Sequence, residues 1–556
     1  MFLGTVVIST CLQSFAGAPD SAIDQWRARR FGMFIHWGPV SLTGNEISWS
    51  RGKQTPIDVY DNLYKSFNPT NFNAEAWVKI AKDAGMQYLV LTAKHHDGFC
   101  LWPSKYTEYD IAATPYAKDI VKALADACHR EGIGFGAYYS TCDWHHPDFP
   151  RGSPGGQTRK TNSSLPRYAD YLRNQVSELI QNYGPLCTVW FDLPQGMSAR
   201  YGIPTEKILR KLQPDIVINN RIYSARTKNG IADYDTPEQR IGGFRRDRPW
   251  ETCMTICRQW AWKPNDRMKS LKQCLQSLIY TIGGDGNLLF NVGPMPDGHI
   301  EPRQVERLHQ MGAWIRPNAE AVYGTRGGPF KPGKWGASTC KGNKIYLFVI
   351  DWQNAAELSL PILDADIKSV SLLNGHKAAI DVTSDAWIVR VAESDRDPIA
   401  TVVVIELDRN AFSIEPVSVR HISKSLAFGK PAKASNVYHK QTPRYSPQQA
   451  FDDDPNTRWA TDAGTHSAWL AVDLGHKQEI GGIKIDEHGW NRVRKFELQV
   501  SDDGNEWKTI FNGNKIDPNF EFNFMPIMTR WVRLNILEAA KCPSIWEFQV
   551  FPAKKR

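Results

Sequence analysis

Between residues 22 and 325 the chain alternates short, apolar, β-rich runs with amphipathic helical stretches, and this rhythm restricts the fold more than any other feature of the sequence. The expected strands are Phe31–His36, Tyr88–Ala93, Gly134–Tyr139, Cys187–Phe191, Ile216–Asn220, Glu251–Ile256 and Asn287–Val292. Between them, Ala74–Ala84, Lys118–Glu131 and Tyr168–Tyr183 carry apolar residues at three-to-four spacing, which predicts helices. Apolar strands separated by helices build a parallel sheet covered on both faces. Seven or eight such units in this length suit a closed (β/α)8 barrel better than an open sheet.

A barrel of this kind carries its chemistry where strands end and βα loops begin. Polar residues gather at those ends: His36-Trp37, His95-His96-Asp97, Tyr139 through His146, Asp192, Asn220-Arg221 and Asn291. Asp192 directly follows Thr188-Val189-Trp190-Phe191, so a buried strand aims its carboxylate into the barrel mouth, and it is the candidate nucleophile. Glycosidic-bond hydrolysis needs a second carboxyl group, about 5–5.5 Å away when configuration is retained. Asp233, Asp235, Glu238 and Glu251 are the candidates downstream. Glu251 follows Pro249-Trp250, and a carboxyl group desolvated beside a Trp has a raised pKa, as a general acid requires. Glu251 is therefore the expected acid/base, with Glu238, in the loop Asp235-Thr236-Pro237-Glu238, as the alternative.

The 20 Trp, 24 Phe and 19 Tyr fit stacking on sugar rings as well as large β-rich cores. Glu46 and Trp49, in the loop after the first strand, fit the wall of a sugar pocket, and Trp260 and Trp262 fit either its leaving-group side or rim packing. The histidines could ligate a metal or bond sugar hydroxyls. Neither a His-Glu-x-x-His motif nor another metal spacing is present, so no catalytic cofactor is expected. His95 and His96 can share the pocket only where their strand ends, because neighbours on a regular strand face opposite sides.

The formal charge of +8 is spread along the chain without the basic stripe of a nucleic-acid binder. Residues 1–18 resemble a secretory signal ending Ala16-Gly17-Ala18, without the usual basic start. They predict a secreted or periplasmic protein, with Cys11 raising a lipid-anchored form as the alternative. No later segment approaches the roughly 20 apolar residues of a membrane span. The ten cysteines show no repeated C-x-x-C spacing and are expected to be buried thiols. Residues 330–415 read as a β-sandwich, 416–434 as a linker, and 432–552 as a third, β-rich unit.

Four motifs, FGMFIHWG (31–38), AKHHDGFCLW (93–102), VWFD (189–192) and GNLLFNVG (286–293), together resemble the α-L-fucosidases of glycoside hydrolase family 29. The resemblance spans about residues 22–325. It implies retaining exo-hydrolysis of terminal α-L-fucose from fucosylated glycans, with Asp192 as nucleophile and Glu251, in Trp250-Glu251-Thr252-Cys253-Met254-Thr255, as acid/base. It also implies that His36, Glu46, His95, His96, Tyr139 and Trp190 hold the sugar. In a more linkage-selective branch of the family the acid lies near a Thr-Pro-x-Glu stretch, which Thr236-Pro237-Glu238 resembles. A fucose-binding protein without turnover and an α-L-galactosidase are the other readings. The third unit resembles discoidin-like domains, also known as coagulation-factor type C domains and family 32 carbohydrate-binding modules, through residues 450–459, 470–475 and 545–548. That likeness implies a structural Ca²⁺ held by Asp452, Asp454, Thr457 and Glu547, with Asp453 where Gly is more usual.

Overall fold

The computed structural model describes residues 17–553, apart from 154–158, 226–230, 353–356, 420–422, 424, 455–456, 488–489 and 518–519. The expected signal segment, with Cys11, lies outside the described residues as far as Ala16. The chain forms two compact units, residues 1–420 and 421–556.

Six strands carry the first unit: β1 (Phe31–Ile35), β2 (Tyr88–Lys94), β3 (Gly134–Ser140), β4 (Thr188–Asp192), β5 (Glu251–Thr255) and β6 (Asn287–Val292). They pair in parallel in the order β4-β3-β2-β1-β6-β5. Two further runs close the ring between β4 and β5. One is the expected strand around 216–220; the other, 233–238, has no apolar pattern to announce it. Both pair through single parallel bridges, Val189 with Ile218, Asn219 with Tyr234, Asp235 with Trp250 and Glu238 with Cys253. Backbone bonds join the 233–238 run to β5, with the Glu251 N–H on the Asp235 carbonyl at 2.8 Å and the Cys253 N–H on the Pro237 carbonyl at 3.1 Å, and side chains help to tie in the 216–220 run. The Asn219 amide bonds both the N–H and the carbonyl of Phe191, each at 2.8 Å, and Asp233 Oδ2 accepts the Ile218 N–H at 2.7 Å. The result is a (β/α)8-like barrel.

Phe34, Tyr88, Val90, Tyr138, Trp190, Val217, Tyr234, Cys253 and Leu289 fill the barrel interior. The Tyr88 ring lies over Gly32, where an added Cβ would come within 2.5 Å of it. Helices cover the outside, started where side chains satisfy their free N–H groups. Asn73 caps Ala74–Asp83, Asp119 caps Ile120–Glu131, and a Ser270–Gln273 capping box starts Leu271–Gly283. No helix among the described residues is long and apolar enough to cross a membrane, and the nine described cysteines are free thiols.

Residues 326–407 add a five-stranded and a three-stranded sheet around Trp335, Ile345, Leu347, Trp387 and Val403. A buried ionic latch joins them to the barrel base. Asp285 accepts from Arg30 at 2.8 Å, Arg326 at 2.7 Å and the Gly327 N–H at 2.9 Å. Arg30 and Asp285 side chains are both 0% exposed, and each sits at positive φ, 55° and 72°. The second unit is a six-stranded, antiparallel sheet with core residues Leu470, Ile483, Phe496, Val532 and Phe548. Replacing Asp285 with Asn strands the Arg30 charge in a dry core. We expect about 3–5 kcal/mol of lost stability in urea unfolding of the first unit; a loss below about 1 kcal/mol would show the latch to be dispensable.

Candidate active site

At the C-terminal ends of the barrel strands lies a narrow cavity with ≈ 100 Å³ of room for water-sized molecules. His36, His95, His96, Tyr138, Trp190 and Asp192 form its floor. Trp49, Leu193, Arg221, Glu238, Cys253 and Trp260 form its walls. Asp192 ends β4 and is held on both oxygens. Oδ1 accepts from Arg221 Nη1 and the Leu193 N–H, each at 2.7 Å, and Oδ2 accepts from Tyr138 Oη at 2.9 Å. Burial pushes the Asp192 carboxyl up, but Arg221 and then His96 outweigh it, so the group is held below the usual carboxylate range. It is an ionised carboxylate held in a fixed orientation at the cavity.

The histidines are neutral. Burial drives His36 down to about 3 and His96 to about 4, and burial with its two histidine neighbours drives His95 well down. His36 Nδ1 meets Asn291 Oδ1 at 2.6 Å, and Asn291 Nδ2 donates to the Trp260 carbonyl, which fixes the amide. His36 Nδ1 therefore carries the proton and Nε2 is left as an acceptor. Ser48 Oγ lies 2.6 Å from His95 Nδ1, and Ser140 Oγ 2.7 Å from His96 Nδ1. Strand β2 ends at Lys94, and its register with β3 slips between Thr92 and Lys94, so both histidines turn to the cavity. The nearest ligand atoms of His95, His96 and Asp192 lie within 4.8 Å of one another, close enough for one cation. The Arg221 charge already bonded to Asp192 opposes a cation there.

Three of the expected site residues lie elsewhere. Glu251 opens β5, is 0% exposed, and lies in the barrel interior rather than on the cavity wall. Its carboxyl accepts from Trp190 Nε1 at 2.9 Å and from Tyr88 Oη. The expected desolvation is present, since burial raises its pKa to about 7, but β5 starts at the closed end of the barrel and the cavity is at the other. Tyr139 points outward, donating to Gln175 Oε1 at 2.8 Å. Its neighbour Tyr138 is the cavity residue, because strand side chains alternate. Gly134 and Gly136, which share its face, are the signal for this. Glu46 holds the wall from behind, accepting the Trp260 and Ala261 N–H groups at 2.9 and 3.0 Å. His145 stacks on Tyr109 at 4.1 Å and His146 lies 4.2 Å from the Tyr171 ring.

Glu238 sits where the geometry calls for a second carboxyl group. It ends the 233–238 run, pairs with Cys253, and its side chain is 45% exposed at the mouth. Its Oε2 accepts from Arg221 Nη1 at 3.0 Å, the same nitrogen that bonds Asp192. The two bonded carboxylate oxygens can thus be no farther apart than those two bonds laid end to end, short of the roughly 6.5–9.5 Å that an inverting pair keeps. Arg221, which carries this arrangement, looks in sequence like an ordinary strand-end cation.

Residues 13–320 match the family model for alpha-L-fucosidase, and residues 431–548 match that for the F5/8 type C domain. The plasma alpha-L-fucosidase of Homo sapiens is 30% identical over 366 residues, 60% of this chain and 76% of that protein. The solved alpha-L-fucosidase isoenzyme 1 of Paenibacillus thiaminolyticus is 33% identical, covering 70% of this chain and 99% of its own, with a TM-score of 0.64. A family 29 alpha-L-fucosidase of Bacteroides thetaiotaomicron, trapped as a covalent intermediate with 2-fluoro-fucosyl fluoride, is 27% identical with a TM-score of 0.64, over 70% of this chain and 97% of its own. With the two-carboxylate cavity, these likenesses show that the chain is a glycoside hydrolase belonging to the alpha-L-fucosidase family, family 29, with a discoidin-like F5/8 type C domain at its C-terminal end.

Proposed function

We propose that the chain is a retaining exo-α-L-fucosidase that removes terminal α-L-fucose from glycans, with Asp192 as nucleophile and Glu238 as acid/base. The observation that carries this reading is the single Arg221 nitrogen bonded to both carboxylates at the cavity mouth. Asp192 attacks the anomeric carbon while protonated Glu238 gives its proton to the departing glycosidic oxygen, leaving a fucosyl ester on Asp192. Glu238, now ionised, takes a proton from water as that water attacks the same carbon and frees Asp192. The neutral histidines bond sugar hydroxyls without adding cations that would compete with the developing oxocarbenium charge. The covalent intermediate of the Bacteroides thetaiotaomicron enzyme supports the two-step route. Export through the 1–18 segment belongs to the same reading.

Replacing Asp192 with Gly should lower hydrolysis of an aryl α-L-fucoside by roughly 10³-fold or more, with partial recovery in azide. Unchanged turnover would sink the nucleophile assignment. For Glu238→Ala we expect oligosaccharide cleavage to fall about 10²–10⁴-fold, while the first step on an aryl substrate with a good leaving group is largely kept. Equal losses on both substrates would remove Glu238 from the acid role.

For the C-terminal unit we propose a structural Ca²⁺ at the acidic turn. Thr457 Oγ1 donates to Asp452 at 2.8–2.9 Å, and the Asp454 N–H donates to Asp452 Oδ1 at 3.0 Å. Burial, opposed by these bonds and assisted by Asp454, raises the Asp452 carboxyl. The antiparallel pairing of Trp459 with Ile545 and Ala460 with Ser544 brings the strand that follows the acidic turn beside the segment that leads to Glu547, which supports this reading. Asp453 stands at φ 58°, the conformation a glycine adopts readily, and its side chain accepts from Gln549. The donors are hard oxygens suited to Ca²⁺. Chelation with EGTA should lower the melting midpoint of this unit by several degrees, and added Ca²⁺ should restore it. An unchanged midpoint would exclude the ion.

A further inference from the structure

We infer that Glu251 is a positioning residue: its buried carboxyl fixes Trp190 and Tyr88 in the barrel interior and, through Trp190, holds the two side chains that clamp Asp192. The inference rests on Asp192 being the nucleophile. Along β5, Cys253 lines the cavity, and Glu251 is two residues nearer the strand's start on the same face. It is therefore about 7 Å deeper, one pleat repeat, and the Trp190 indole it bonds is part of the cavity floor above it. Glu251 touches no part of the space a sugar can enter.

Two donors meet at this depth, Trp190 Nε1–H and Tyr88 Oη–H, and the Glu251 carboxyl accepts both, one on each oxygen. An aliphatic residue would orphan both donors in a dry core. Tyr88 cannot follow a moving partner freely, because its ring is pressed over Gly32. The Trp190 ring is the shared support of the nucleophile's clamps. The Arg221 guanidinium lies 4.9 Å above it, and the Tyr138 ring packs nearly parallel at 5.6 Å and 18°. Arg221 and Tyr138 are the side chains bonded to Asp192 Oδ1 and Oδ2. A shift of Trp190 loosens both bonds at once, and misplacement of a reacting group by an ångström can cost about 100-fold in rate.

The same burial makes Glu251 titrate unusually. Burial raises it to about 7, and the Tyr88 and Trp190 bonds pull it back only in part. The ionisable groups facing it are Tyr88 from β2, Tyr234 from the 233–238 run, Cys187 ahead of β4, and Cys253 on its own strand. Burial pushes each of these up, so none carries charge near neutrality. A folded-state pKa raised above the unfolded value of 4.5 means stability that is full below about 4.5 and lost as pH rises toward about 7.

The test compares Glu251→Leu, Glu251→Gln, Trp190→Phe and the two double variants. Turnover of an aryl fucoside and a fucosylated oligosaccharide is measured, and melting is followed from pH 5 to pH 8. Glu251→Leu should lower kcat roughly 10- to 100-fold on both substrates alike, with KM little changed and no gain from azide. Glu251→Gln keeps an acceptor for Trp190 and should retain most of the activity. In the Trp190→Phe background, which lacks the indole N–H, Glu251→Leu should add little further loss. The melting midpoint of Glu251→Gln should gain on that of the native chain as pH rises. If Glu251→Leu does not fold, Trp190→Phe should itself lower kcat on both substrates alike, and an unchanged kcat in that variant would overturn action through Trp190. Additive losses would overturn action through Trp190. A loss confined to the oligosaccharide, with azide rescue, would make Glu251 the acid and overturn both this inference and the role of Glu238. Failure of the Asp192 variant to lose turnover would instead fault the nucleophile alone.

Discussion

The Arg221 guanidinium is the element on which the catalytic geometry depends. One nitrogen bonds both carboxylates, Nε donates to Thr236 Oγ1 at 2.8 Å, and Nη2 donates to the Thr236 carbonyl at 2.9 Å. The side chain thus ties the irregular 233–238 run, which carries Glu238, to β4, which carries Asp192. Backbone bonds to β5, from the Glu251 N–H to Asp235, the Cys253 N–H to Pro237 and the Gln239 N–H to Cys253, place the run's main chain, and Arg221 fixes the Glu238 side chain. A planar cation with several fixed donors can do this; a lysine ammonium, a point charge on a flexible stem, could not hold the same fork.

The barrel also shows how position sets the behaviour of a carboxyl group. Asp192 is partly and Glu251 wholly buried, and burial alone raises both. Asp192 has Arg221 beside it and falls below the ordinary range, whereas Glu251 has only neutral donors and rises to about 7. A cation therefore separates a carboxylate that stays ionised from a carboxyl that is easily protonated. The raised pKa expected of a general acid is found at Glu251 for the reason anticipated, a Trp-rich, desolvated setting, yet its depth in the barrel denies it contact with a substrate. Perturbed titration marks a buried group; access to the cavity decides whether that group can do chemistry.

Much of the barrel was legible because its strands are apolar runs that end in polar residues. Phe31, Tyr88, Gly134, Glu251 and Asn287 all begin observed strands where the pattern begins them, and His36, His95, His96, Trp190 and Asp192 meet in the cavity. What escaped has physical causes. Residues 233–238 read Asp-Tyr-Asp-Thr-Pro-Glu, a polar turn by composition, although their main chain is hydrogen-bonded to β5 through the Glu251 and Cys253 N–H groups. Without that run as a strand, Glu238 seems to lie in a loop and Glu251 seems the better partner. Tyr139 was off by one residue, enough to reverse its face.

The start of β5 and the end of the 233–238 run sharpen the rule that barrels place chemistry at strand ends. Glu251 and Glu238 belong to adjacent segments running the same way. Glu238 pairs with Cys253, two residues beyond Glu251, so the two glutamates differ in depth even though their segments are neighbours. Parallel strands give the barrel a polarity, and a carboxyl at the beginning of a segment enters the core while one at the end enters the cavity. In the core it can serve only by fixing what lies above it, and Trp190 is what lies above Glu251. The placement of Asp192 thus has two sources: Arg221 and Tyr138 bond it directly, and the buried Glu251 carboxyl bonds the ring on which both rest.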